Sequence, residues 1–223
     1  MKVLAIALAL LDFAPVFFLA VGLLFFARLA GKLDTRCFRM GIAGFILVTV
    51  GGLARAVSNL ALAITGAEIP VLAISLLVFA GPGFALCAGA LYRGWQTRLG
   101  RPASQDPWIV PVTLSWAFLL FAFYVQSRGG EGREWARVLF VLAWGGSLAT
   151  CALAAALGWR ERLHMSAGLL AFHAFAMTLL AGVGFLGLQS IWIQVIAELL
   201  DLAAQMAFAF AAWRISAEYL TKD

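Results

Sequence analysis

Seven long apolar segments take up almost the whole chain, and they constrain its fold more than any other feature. They lie at about 3–30, 40–64, 70–92, 108–126, 136–158, 165–188 and 190–214. Each has roughly the 20 mostly apolar residues that an α-helix needs to cross a bilayer. Helices are the expected spanning elements because backbone groups in lipid must be satisfied within the segment, and the alternating pattern of a membrane β-barrel is absent.

Composition supports the same class. Of the 223 residues, 64% are hydrophobic and only 12% are charged, whereas a soluble domain is about half apolar and a quarter charged. We therefore predict an all-α, polytopic membrane helix bundle that forms a single domain over residues 1–223. We expect a multi-pass protein of a cell membrane, with the bacterial inner membrane as its place.

Basic residues between the segments predict the orientation. Eleven fall in one set of connections and four in the other. The larger set is Arg28, Lys32, Arg36, Arg39, Arg93, Arg98, Arg101, Arg160, Arg162, Arg214 and Lys222, and the smaller is Lys2, Arg128, Arg133 and Arg137. Because basic loops stay in the cytoplasm, we expect the N-terminus outside and the C-terminus cytoplasmic, which fits an odd number of helices.

Polar side chains inside the apolar segments are the candidate ligand- or proton-binding residues, because charged groups at membrane depth cost several kcal/mol. They are Asp12, Arg55, Asn59, His173, Glu198, Asp201 and Gln205. Gln194, Glu198, Asp201 and Gln205 follow a spacing of 4, 3 and 4, so they share one face of the seventh helix. Arg55 and Asn59 share a face of the second helix.

Depth estimates place the charges in one layer. At about 1.5 Å per helical residue, Asp12 and Arg55 lie roughly 13 Å from the outer boundary. Glu198 lies about 10–12 Å and Asp201 about 15–17 Å from it. The sequence therefore predicts a polar layer in the outer half of the membrane.

A hinge is predicted in the third helix, where Gly81, Pro82 and Gly83 stand near its middle. Proline removes a backbone donor, and the flanking glycines permit a sharp break. We expect a broken helix that frees backbone groups beside the charged layer, as in some transporters. Pro15 is expected to act similarly, three residues after Asp12.

Three carboxyl groups face one arginine in the predicted layer. Arg55 can pair with one or two of them, so at least one is expected to be protonated, with Glu198 or Asp12 as the proton carrier. His173 is interpreted as a proton relay or ligand contact, or as a histidine hydrogen-bonded to a neighbouring helix. His164 and His173 are about 180° apart around their helix, which excludes a bis-His haem there. No spacing predicts a zinc site or other metal site, and the cofactor is unknown.

Several functions stay open. We expect a small-solute or proton-coupled permease, a membrane-embedded subunit or scaffold of a larger complex, or a seven-helix sensory module. A retinal protein is disfavoured because Lys2, Lys32 and Lys222 lie outside the membrane core. No nucleophile–base pair predicts an enzyme, although Glu198 and Asp201 could act as acid and base. The expected partners are the lipid bilayer, a small solute or protons, and other membrane subunits, but no nucleic acid.

Overall fold

The structure is a computed structural model that describes residues 2–67, 69–101, 106–128, 134–186 and 190–221, without the side chains of 184–186. Within these ranges the regular elements are eight α-helices. They are α1 (Lys2–Leu11), α2 (Phe13–Leu33), α3 (Thr35–Thr65), α4 (Pro70–Arg98), α5 (Ile109–Ser127), α6 (Glu134–Arg160), α7 (His164–Leu186) and α8 (Ile191–Leu220). The helices α1 and α2 follow each other directly and form one span.

Among the described residues, seven helical stretches are long and apolar enough to cross a membrane, so the all-helical fold is compatible with the predicted bundle of seven spans. Most of them extend beyond the predicted apolar cores. The third span reaches Arg98 rather than residue 92, and the seventh reaches Leu220 rather than residue 214. These added turns carry aromatic and basic side chains, which suit the interface where a helix leaves the hydrocarbon.

The helices pack with α4 in the interior of the bundle. It contacts α3 and α2 on one side and α6 and α5 on the other, while α8 packs between α2 and α7. The helix α5 lies at the edge, against α4 and α6. Phe26 and Phe208, both fully buried, meet edge-to-face between α2 and α8 with their ring centroids 5.3 Å apart.

Contacts between loops define one end of the bundle. Arg98 donates to Glu161 at 2.6 Å and lies 4.6 Å from the ring centroid of Tyr219. Asp34 lies 3.9 Å from Arg93. The connections α2–α3, α4–α5 and α6–α7 and the end of α8 therefore meet on one side, here called the basic end. Two members of the predicted sets of basic residues lie outside the described residues: Lys222 of the larger set and Arg133 of the smaller set.

The expected break at Gly81, Pro82 and Gly83 was wrong, because α4 continues as a helix through all three. The glycines serve close packing instead. A Cβ on Gly44 of α3 would lie 2.6 Å from the carbonyl oxygen of Gly83, and one on Gly81 would lie 3.0 Å from Leu142 of α6. Contacts with α3 and α6 therefore keep α4 helical, although Pro82 cannot donate a backbone hydrogen bond.

Gly44→Ala tests this packing. We expect it to destabilise the bundle by about 1–3 kcal/mol, because the added methyl group has no space between two backbones. The measurement is thermal unfolding of purified protein in detergent. The matched control is Gly145→Ala, since a Cβ there meets nothing within 4 Å, and helix propensity favours alanine by about 0.5–1 kcal/mol. Equal effects of the two substitutions would contradict the packing.

Candidate functional site

Polar side chains from three parts of the chain come together at the end of the bundle away from the basic end. We call the following group the polar cluster: Asp12, Arg55, Asn59, Glu198, Asp201 and Gln205. Asp12 lies between α1 and α2, the next two belong to α3, and the last three belong to α8. The six lie about 9–21 Å along their helices from the ends of the spans. The residues of the predicted layer therefore lie close to one another in the folded bundle.

Asp12 stands at the junction of α1 and α2, which continue each other as one helical span. Its backbone N–H donates to the Leu8 carbonyl at 3.1 Å, and α2 begins at the next residue. Pro15 has no N–H, so the Leu11 carbonyl lacks its usual helical donor. The break expected from Pro15 is thus reduced to one missing hydrogen bond beside the charges, because Asp12 keeps helical dihedral angles (φ −53°, ψ −25°).

Two neutral amides hold the aspartates. Asn59 Nδ2 donates to Asp12 Oδ2 at 2.6 Å, across from α3. Gln205 Nε2 donates to Asp201 Oδ1 at 3.0 Å along α8. Each amide satisfies a carboxyl oxygen without adding a charge, so the excess of acidic groups in the cluster is left in place.

Glu198 joins the α8 residues to Asp12. Its carboxyl group is close enough to that of Asp12 for a hydrogen bond, with Asp201 and Arg55 within electrostatic range. A hydrogen bond between two carboxyl groups requires a proton on one of them, because two carboxylates have no donor. The Asp12–Glu198 pair can therefore hold a proton between two separate helices.

Arg55 lies on the open side of the cluster. Its side chain is exposed on the surface of the bundle, and it acts on Glu198 at electrostatic range. The pairing of Arg55 with one or two of the carboxyl groups stays a prediction. The hydrogen bonds to Asp12 and Asp201 come from Asn59 and Gln205.

Gln205 marks the inner limit of the cluster. It is 4% exposed, and its Nε2 also lies 3.5 Å from Met177 Sδ on α7. Its Oε1 is buried without a hydrogen-bond partner in the described part of the chain. Nothing in the sequence pointed to Met177, because a thioether among apolar residues gives no signal of a polar neighbour. Gln194, at the other end of the α8 stripe, is exposed.

His173 lies next to the cluster rather than in it. The ring is 1% exposed, and Nδ1 is 3.1 Å from the Ala204 carbonyl oxygen. A carbonyl only accepts, so Nδ1 carries a hydrogen and Nε2 is left as an acceptor. Phe208 lies against the ring at a centroid distance of 4.7 Å. Of the two interpretations above, these contacts are those of a histidine bonded to a neighbouring helix, and a role in ligand binding stays a prediction.

The glycine–proline segment of α4 is remote from the cluster. Gly83 packs against Gly44, and Arg55 stands eleven residues beyond Gly44 on α3. At 1.5 Å per residue this is about 16 Å along the helix. The segment therefore does not line the polar cluster, and its role as a functional hinge stays a prediction.

Metal chemistry has no visible basis in the part of the chain that is described. No three His, Cys, Asp or Glu side chains there are arranged to hold a metal ion.

Comparison with family models, curated proteins and solved structures finds nothing that matches this chain. The chemistry of the polar cluster therefore carries the functional argument.

A double-mutant cycle tests the hydrogen bond between Asn59 of α3 and Asp12. Asp12→Ala and Asn59→Ala should show a coupling free energy of about 0.5–2 kcal/mol, because each removes the same interhelical hydrogen bond. Thermal unfolding of the wild type, both single variants and the double variant measures it. A second cycle pairs Asp12→Ala with Ser115→Ala on α5, whose hydroxyl bonds the Pro111 carbonyl, and should be additive. Additivity in both cycles would exclude the contact.

Proposed function

We propose that this chain is a small-solute permease coupled to protons, and that the polar cluster is its site. The observation that carries the proposal is the Asp12–Glu198 pair, in which carboxyl groups of two different spans lie within hydrogen-bonding reach. Gain or loss of a proton held between two helices changes the interaction of both helices with each other. The exposed side of Arg55 gives the site a fixed positive charge toward its open face.

The proton would act as a switch on helix packing. With the proton in place, Asp12 and Glu198 attract each other through a hydrogen bond. Without it, two like charges face each other in a medium of low dielectric constant and repel. The Leu11 carbonyl, which lacks its helical donor because of Pro15, gives the helix beside Asp12 a place at which it can bend. Proton binding would therefore bias the bundle between two arrangements, as alternating access requires.

For orientation we propose that the N-terminus is outside and the basic end is cytoplasmic. The support is the eleven-to-four distribution of basic residues, together with contacts that join three loops at the basic end. Basic residues are retained on the cytoplasmic side. The polar cluster would then lie in the outer half of a cell membrane, proposed to be the bacterial inner membrane.

Uptake into liposomes tests the proposal. Purified protein would be reconstituted, given an acidic outside, and offered a mixture of small metabolites, with uptake measured by mass spectrometry. At least one solute should accumulate, and a protonophore should abolish the accumulation. Asp12→Asn and Glu198→Gln should each lower the rate by about tenfold or more, because an amide carries no titrating proton.

The matched control is Glu134→Gln, which makes the same change at an exposed residue at the start of α6. It should keep the wild-type rate. Uptake no greater than in empty liposomes would overturn the proposal, as would full activity of folded Asp12→Asn and Glu198→Gln. Stable co-purification with other membrane chains would favour a subunit of a complex, and binding of a solute without uptake would favour a sensory module.

A further inference from the structure

Gln205 leaves a hydrogen-bond acceptor unused at the inner limit of the polar cluster. Its side chain is 4% exposed, and its Oε1 is buried without a hydrogen-bond partner in the described part of the chain. Side chains of a helix lean toward its N-terminus, so that of Gln205 leans toward Asp201, one turn earlier on α8. The amide group is therefore aimed into the cluster, and its buried acceptor is costly until a donor reaches it.

The contact with Asp201 fixes which way this amide group is turned. Nε2 donates to Asp201 Oδ1 at 3.0 Å. If the amide oxygen took the place of Nε2, two acceptors would face each other and repel. Nε2 also lies 3.5 Å from Met177 Sδ, which is a weak acceptor. The unused atom is therefore the oxygen, and it requires a donor.

Asp201 supplies a second acceptor beside the first. Among the described residues only its Oδ1 receives a hydrogen bond, from Gln205, so Oδ2 is left for another donor. The Asp201 side chain is only partly buried, which gives a small polar group a way into the cluster past it. One group with several donors can therefore serve both residues.

The charges of the polar cluster fit a monovalent cation. Its three carboxyl groups share one arginine, and the proposed proton between Asp12 and Glu198 neutralises one more negative charge. A single negative charge is left in excess, which is costly at membrane depth. A neutral solute would leave this charge in place, and an anionic solute would add to it.

A protonated primary amine meets both requirements. Its ammonium group carries one positive charge and three donors and has no acceptor. A metal cation fits less well, because no three His, Cys, Asp or Glu side chains of the described residues are arranged to hold one. The donors and the charge that the cluster lacks are thus those of an ammonium group.

We propose that the solute of this permease is a protonated primary amine, whose ammonium group donates to Gln205 Oε1 and to Asp201. The inference rests on the permease function proposed above and names its solute class. The cluster is neutral only when the proton and the ammonium group are both bound. The two would therefore cross together, as uptake driven by an acidic outside requires.

Binding to the purified full-length protein in a neutral detergent tests the solute class, because binding needs no transport. Methylamine, butylamine and phenethylamine, which are cations at about pH 7, are titrated by calorimetry in phosphate buffer. Each is compared with the alcohol of the same carbon skeleton and with sodium chloride. At least one amine should bind saturably and about tenfold or more tightly than its alcohol, because hydrogen bonds to charged groups are the stronger ones.

Variants of α8 locate the ammonium group. Gln205→Leu and Asp201→Asn should each weaken amine binding by about tenfold or more, since one removes the acceptor and the other the charge. The matched control is Gln194→Leu, the same change at an exposed residue near the start of α8, and it should stay within about twofold of wild type. Melting in detergent checks folding. If Gln205→Leu does not fold, Asp201→Asn and the comparison of amines with alcohols decide.

The outcomes separate the solute class from the permease. Amines that bind no more tightly than their alcohols, or no more tightly than sodium, would overturn the amine. Full affinity in folded Gln205→Leu and Asp201→Asn would overturn it as well. Liposome uptake of a neutral or anionic solute without amine binding would overturn the amine and support the permease. Amine binding without uptake of any solute would overturn the permease and support the ammonium site.

Discussion

The inability of hydrocarbon to solvate polar groups governs this structure at every level. It forces each span into a helix, because backbone donors and acceptors have no other partners. It also forces each buried acid to find a donor within the bundle. Asp12 finds Asn59 on another helix, and Asp201 finds Gln205 one turn along its own. The polar contacts between α2, α3 and α8 follow from this requirement.

Close backbone packing supplies the stability that water exclusion cannot provide between helices in lipid. Small residues permit it. The contact of Gly44 with Gly83 lies beside Pro82, which supplies no backbone hydrogen bond to α4, and the opposite side of the same turn packs on α6 through Gly81. A helix held from both sides can contain a proline and stay helical. At Pro15 the Leu11 carbonyl loses its donor in the same way, and the backbone at Asp12 stays helical there too.

These two prolines show what the sequence could and could not predict. Long apolar segments and helical spacing predicted seven spans, and they placed Asp12, Arg55, Glu198 and Asp201 at similar depths. Those patterns are local, so one chain suffices to show them. Whether a proline breaks its helix depends on neighbours from other spans, as does the partner of each acid. For the same reason the sequence identified His173 as polar and buried but could not tell that Ala204 would be its partner.

The two ends of the bundle also differ in how their acids are neutralised, and this difference supports the polar cluster as the proposed proton-binding site. At the basic end Asp34 faces Arg93 and Glu161 binds Arg98, so each of these acids has a basic partner and needs no proton. In the cluster three carboxyl groups share one exposed arginine, and the nearest donors are neutral amides. Such an excess of acid is stable in a membrane only when protons or a bound cation offset it. A purely structural ion pair does not require an excess of carboxyl groups, whereas a site that binds and releases a proton or a cation does.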